Sequence, residues 1–154
     1  MPNKFMARAV ELSIENVGLG GGPFAAVVVR SGRIIAEGVN SVTTENDPTA
    51  HAEIVAIREA CRQLGTFELP GCEIYSSCEP CPMCLGAIYW ARPVSVFFAN
   101  TAADAAQFGF DDAFIYGEIQ RNHADRKISM IQLMRTEALA AFHAWREKND
   151  KIHY

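Results

Sequence analysis

Phe5, Ala9, Leu12 and Asn16 recur at helical spacing with charged side chains opposite, so residues 4–16 read as an amphipathic helix that Gly18 ends. Two β-rich runs follow, 24–29 and 33–39, and Arg30-Ser31-Gly32 between them predicts a hairpin. Residues 40–46 form a polar connection, after which Asp47-Pro48 offers a helix N-cap and a first-turn proline, so that His51 enters on a first turn. Ile54, Ile57, Cys61 and Leu64 carry the apolar seam of that second helix as far as Gly65. Alternation predicts a third strand over 72–77, and Pro80-Cys81 opens a further helix. Beyond it the pattern predicts a fourth strand at 94–99, a short helical piece at 104–107, a fifth strand at 128–135 and a last helix at 139–148 with Phe142 and Trp145 on one side. This order predicts an α/β fold: three α/β/α layers around a five-stranded mixed central sheet. With the third strand beside the first, both later helices start at one edge of the sheet, where α/β folds usually place their ligands.

Length and charge narrow what such a fold serves. A chain of 154 residues suits a single domain over 1–154, with 149–154 as a tail. No apolar run approaches the ~20 residues of a membrane span. The first residues run into an amphipathic segment instead of a secretory signal, so the expected address is the cytoplasm. Lys and Arg number 14 against 18 for Asp and Glu, the net charge is −4, and no basic run occurs. That is a poor surface for a nucleic-acid backbone and no hindrance to a small neutral ligand. The glycine-rich stretch Gly18-Leu19-Gly20-Gly21-Gly22-Pro23 precedes a strand and lacks a Lys-Ser/Thr, so it reads as a flexible turn and not as a phosphate loop.

Chemistry concentrates in two short stretches, Pro48-Thr49-Ala50-His51-Ala52-Glu53 and Ser77-Cys78-Glu79-Pro80-Cys81-Pro82-Met83-Cys84. His51, Cys81 and Cys84 offer one imidazole and two thiols, the ligands of a catalytic zinc that keeps a fourth position open for water. Glu53, two residues past His51, suits the role of a proton carrier for that water. A lone Cys-x-x-Cys also suits a redox pair or half of a structural zinc knuckle. A structural site would want a fourth Cys or His at short spacing, and a redox pair has no use for the His-x-Glu. Cys78 as a fourth thiolate would close the open position; with Cys61 and Cys72 it is expected to stay reduced.

The His-x-Glu and Pro-Cys-x-x-Cys pair is the signature of zinc nucleobase deaminases. The segments 46–53, 77–92 and 109–116 and the ending in Tyr154 together resemble guanine deaminases of the cytidine-deaminase-like fold. The resemblance implies one zinc per chain and hydrolysis of guanine to xanthine and ammonia, by attack of zinc-activated hydroxide at C2 with Glu53 as proton shuttle. It further implies base contacts from Phe24 (stacking), Asn40 (the polar edge), Ala52, Asp112 and Tyr154, with Asp112 also aiding proton transfer and Asp111 its alternative. The implied protein is a homodimer, with exchange of C-terminal segments as the arrangement that would bring Tyr154 over the partner's pocket. The general signature is shared with tRNA adenosine deaminases and cytosine deaminases, so a tRNA substrate and another small aminopurine or cytosine remain the competing readings, beside a zinc module without turnover.

Overall fold

The computed structural model describes residues 3–154, in two compact units: one ending at Ala113 and one of Phe114–Tyr154. In the first unit, helix α1 (Lys4–Gly18) is capped by Asn3, whose side chain accepts from the amides of Phe5 and Met6 at 2.9 and 3.1 Å. Strands β1 (Ala25–Arg30) and β2 (Arg33–Val39) form the expected hairpin, with Ser31 and Gly32 both at positive φ in its turn. A short helix α2 (Val42–Glu45) interrupts the polar connection, followed by α3 (Ala52–Leu64), β3 (Cys72–Cys78), α4 (Pro82–Ala91), β4 (Ser95–Asn100) and α5 (Ala102–Gln107).

The sheet has order β2-β1-β3-β4, with β3 antiparallel to β1 and parallel to β4. It is mixed, as expected, and layered between helices. Ala26, Val28 and Ile74 face Ala52, Ala56 and Ala60 of α3 and Ile88 and Ala91 of α4. Ala25, Val27, Val29 and Tyr75 face Ala9 and Leu12 of α1. The alternate residues of each strand thus feed two separate cores, which is why β1 is apolar almost throughout. Gly38 of β2 lets α3 lie directly on the sheet: a Cβ there would fall 2.3 Å from the Ala52 carbonyl oxygen and 2.4 Å from the Ala56 nitrogen.

The five-stranded expectation is corrected to four strands. Residues 129–134 carry β-type alternation but no ladder, because a strand exists only against a neighbour and this segment has none within the described chain. The second unit instead consists of most of α6 (Ala113–Gln120), a 3₁₀ turn (His123–Asp125) and α7 (Arg135–Glu147). None of its described residues is buried.

Candidate active site

Pairing β1 antiparallel to both neighbours puts the ends of β2, β3 and β4 at one edge of the sheet. Helices α3 and α4 therefore both begin there. His51 is the N-cap of α3, not a first-turn residue: Asp47 closes its own turn by accepting from the Thr49 amide and hydroxyl at 2.8 and 2.7 Å, and the helix starts later than Asp47-Pro48 suggested. Cys81 is the N-cap of α4, with Pro82 at the first helical position; the Cys84 amide donates to Cys81 Sγ at 3.5 Å.

Tetrahedral zinc with bonds of about 2.1 Å to nitrogen and 2.3 Å to sulfur would set such atoms roughly 3.6 Å apart. Cys81 Sγ and Cys84 Sγ lie 3.4 and 3.6 Å from His51 Nδ1, and all three donor atoms fall within 4.8 Å of one another. The donor set and its edges fit a single zinc ion. Cys81 is drawn down to about 4 by its hydrogen bonds with Cys84 and His51, while Cys84 is pushed up by that same bond and by burial, so Cys81 is the sulfur that ionises first. His51 is raised, chiefly by its bond to Cys81.

Glu53, on the first turn of α3, is only 6% exposed. Its Oε1 accepts from Ser76 Oγ at 3.2 Å and its Oε2 from Cys84 Sγ at 3.4 Å, so the carboxylate stands beside the triangle of donors. Burial is the largest influence on it and raises its pKa above that of an ordinary carboxylate, the direction that suits a group exchanging protons.

His51 and Cys81 open into a cavity of about 430 Å³ lined also by Gly20, Phe24, Asn40, Glu53 and Asp112, among others. Phe24 meets Phe110 edge to face, 4.9 Å between centroids at 88°. Asn40 keeps its Oδ1 on the Val42 amide at 3.3 Å. Asp112 is raised by burial and by the charge of Cys81, whereas Asp111 accepts from the Ala113 amide at 2.9 Å and is not on the cavity wall. Ala52 is wholly buried and lines no part of the cavity; its amide, at the first position of α3, has no acceptor within the helix. Tyr154 lies in the C-terminal unit, 71% exposed, with its ring 6.5 Å from that of Trp145.

Two contributors were missed in the sequence. Ser76 shares the inward face of β3 with Ile74, and a serine at an apolar position of a strand was the available signal. Glu79 lines the cavity and accepts from the Ala102 amide at 2.9 Å, tying the end of β3 to the start of α5. Nothing local in the sequence names its partner. Cys78 and Cys72 are buried and Cys61 half-buried, all as free thiols.

Comparison with known proteins then bears on this geometry. Residues 1–100 match the cytidine and deoxycytidylate deaminase zinc-binding region. A guanine deaminase of Bacillus subtilis (strain 168) is 58% identical over 151 residues, 97% of each chain. A tRNA-specific adenosine deaminase of Aquifex aeolicus (strain VF5) is 45% identical over 102 residues, 66% of each. A crystal structure of guanine deaminase from Bacillus subtilis superposes with a TM-score of 0.97 at 56% identity, covering 100% of this chain and 99% of the other.

Proposed function

Because this chain belongs to the cytidine and deoxycytidylate deaminase zinc-binding family, we propose that it is a guanine deaminase, a hydrolase that converts guanine and water to xanthine and ammonia. The observation that carries the reading is the His51, Cys81 and Cys84 triangle beside the buried carboxyl of Glu53, with His51, Cys81 and Glu53 lining one cavity large enough for a purine. Likeness to guanine deaminase over almost the whole chain, against two thirds for the tRNA-specific enzyme, favours the free base over tRNA. So does the net charge of −4.

His51, Cys81 and Cys84 would hold the zinc, which when bound would supply a Lewis acid that makes water nucleophilic near neutral pH. Glu53 takes a proton from the attacking water and returns protons to the ring and to the departing amine. Attack at C2 breaks the ring conjugation, and the tetrahedral carbon expels ammonia once its amine is protonated. Phe24 offers its ring face to the base, and the Asn40 amide both donates and accepts, as the lactam edge of guanine requires. Asp112 accepts guanine N–H groups and assists proton transfer; the Ala52 amide, at the first position of α3, is a further donor.

The two units serve one deaminase domain within a homodimer that exchanges C-terminal segments, so that Tyr154 of one subunit closes the pocket of the other. In support, Ile128, Ile131, Leu133 and Phe142 of the second unit are each at least 72% exposed, and β4 pairs on one side only. Both are surfaces that a partner would cover and that no other described residue of the chain covers. No described helix is long and apolar enough to cross a membrane; Cys61, Cys72 and Cys78, free thiols outside the metal triangle, suit the reducing cytoplasm, where we place the enzyme. The test is ammonia release from guanine, adenine, cytosine, cytidine and a tRNA anticodon stem. Guanine should lead in kcat/KM; cytidine or the tRNA leading would overturn the substrate.

A further inference from the structure

Asn16 stands where the seam of α1 calls for an apolar side chain, and it is only 6% exposed. A buried amide is costly unless its hydrogen bonds are made, and here they are. Its Nδ2 donates to the Gly22 carbonyl at 2.8 Å and to the Asn40 carbonyl at 2.9 Å, using both hydrogens. Its backbone carbonyl accepts from the Leu19 and Gly21 amides at 3.1 and 2.9 Å. The Gly22 carbonyl also accepts from the Phe24 amide at 2.8 Å, and the Asn40 amide donates to the Phe24 carbonyl at 3.0 Å. One side chain thus fastens the glycine loop, Phe24 and Asn40 to each other, while itself lining no part of the cavity.

The run of glycines follows from the same bonds. A Cβ at Gly21 would lie 2.3 Å from Asn16 Nδ2, and one at Gly22 would lie 3.0 Å from Asn40 Oδ1. Gly21 has to be bare for the Asn16 amide to reach two carbonyls, and Gly22 for the Asn40 side chain to keep its place. Cavity wall and clamp are therefore built as one piece, away from the metal donors on α3 and α4.

We propose that Asn16 is a positioning residue for substrate binding: it sets the spacing between the base-stacking Phe24 and the polar Asn40, and so tunes affinity for the base without touching it. The proposal rests on the guanine deaminase reading above. Asn16→Asp keeps the shape but replaces both donor hydrogens with an oxygen facing two carbonyls. It should raise KM for guanine at least tenfold while kcat stays within about threefold and zinc content stays at that of the wild type. An unchanged KM in folded Asn16→Asp, or loss of zinc, overturns the assignment. Gly21→Ala is the second route, should Asn16→Asp fail to fold: its methyl has to push the Asn16 amide off its carbonyls, and KM should again rise with kcat and zinc held. A wild-type KM in Gly21→Ala equally overturns it. Wild-type enzyme assayed alongside separates the two readings: if it is inert toward guanine the substrate reading falls and takes this one with it, whereas an active wild type whose variants keep its KM removes the clamp alone.

Discussion

Ile74 and Ile131 are the same side chain in two β-patterned stretches, yet Ile74 is wholly buried in β3 and Ile131 is 78% exposed in an irregular segment. Ile74 sits against α3 and α4 on one face of a strand paired on both sides; Ile131 has no strand to join among the described residues. The contrast runs through both units: the first buries apolar residues in two cores, and no described residue of the second is buried. An alternating pattern states what a segment can do when a partner is present. It does not state whether the partner belongs to the same chain.

The sharpest way to probe the first unit is through its site. Glu53→Gln should retain one zinc by metal analysis yet lose about a thousandfold or more in kcat, since it removes a proton carrier and no ligand. Cys84→Ala should lose the zinc itself; metal lost from the first variant and kept by the second would show the two roles to be reversed. Next in size is the comparison itself. Ile74→Ala should cost about 2–5 kcal/mol in denaturant unfolding, as a fully buried aliphatic does. Ile131→Ala should cost little in a dilute monomer and show its effect as a shift in the monomer–dimer midpoint by sedimentation. A cost for Ile131→Ala equal to that of Ile74→Ala and independent of concentration would mean that the second unit has its own core.

A smaller effect is expected from the tail. Deleting residues 150–154 should leave zinc content and melting temperature in place and lower kcat/KM for guanine by roughly tenfold, about 1.4 kcal/mol. Mixing the truncated chain with Glu53→Gln should restore activity only if Tyr154 acts across the subunit boundary. The finest distinction is between adjacent acids: Asp112 is on the cavity wall and Asp111 is spent on the Ala113 amide. Asp112→Asn should therefore lower kcat by several-fold more than Asp111→Asn, and equal effects would detach Asp112 from the chemistry.

What the sequence determined by itself was everything carried by short spacing. One residue between His51 and Glu53, and two between Cys81 and Cys84, place each pair on a single helix start, so the donor types and the carboxylate beside them were legible before any fold. Residue-level periodicity likewise located α1, the β1–β2 hairpin, α3, β3, α4 and β4 to within a few residues. Tertiary structure decided what depends on distant neighbours. The antiparallel pairing of β1 with β3 brings the starts of α3 and α4 together, and it carries Ser76 to Glu53 across 23 residues of chain. Asn16 was visible only as a polar residue on an apolar seam, because its two acceptors come from Gly22 and Asn40, six and 24 residues away. The missing fifth strand has the same origin. β propensity is a property of a segment, but a strand is a property of a pair, and the four-stranded sheet gives residues 129–134 no partner.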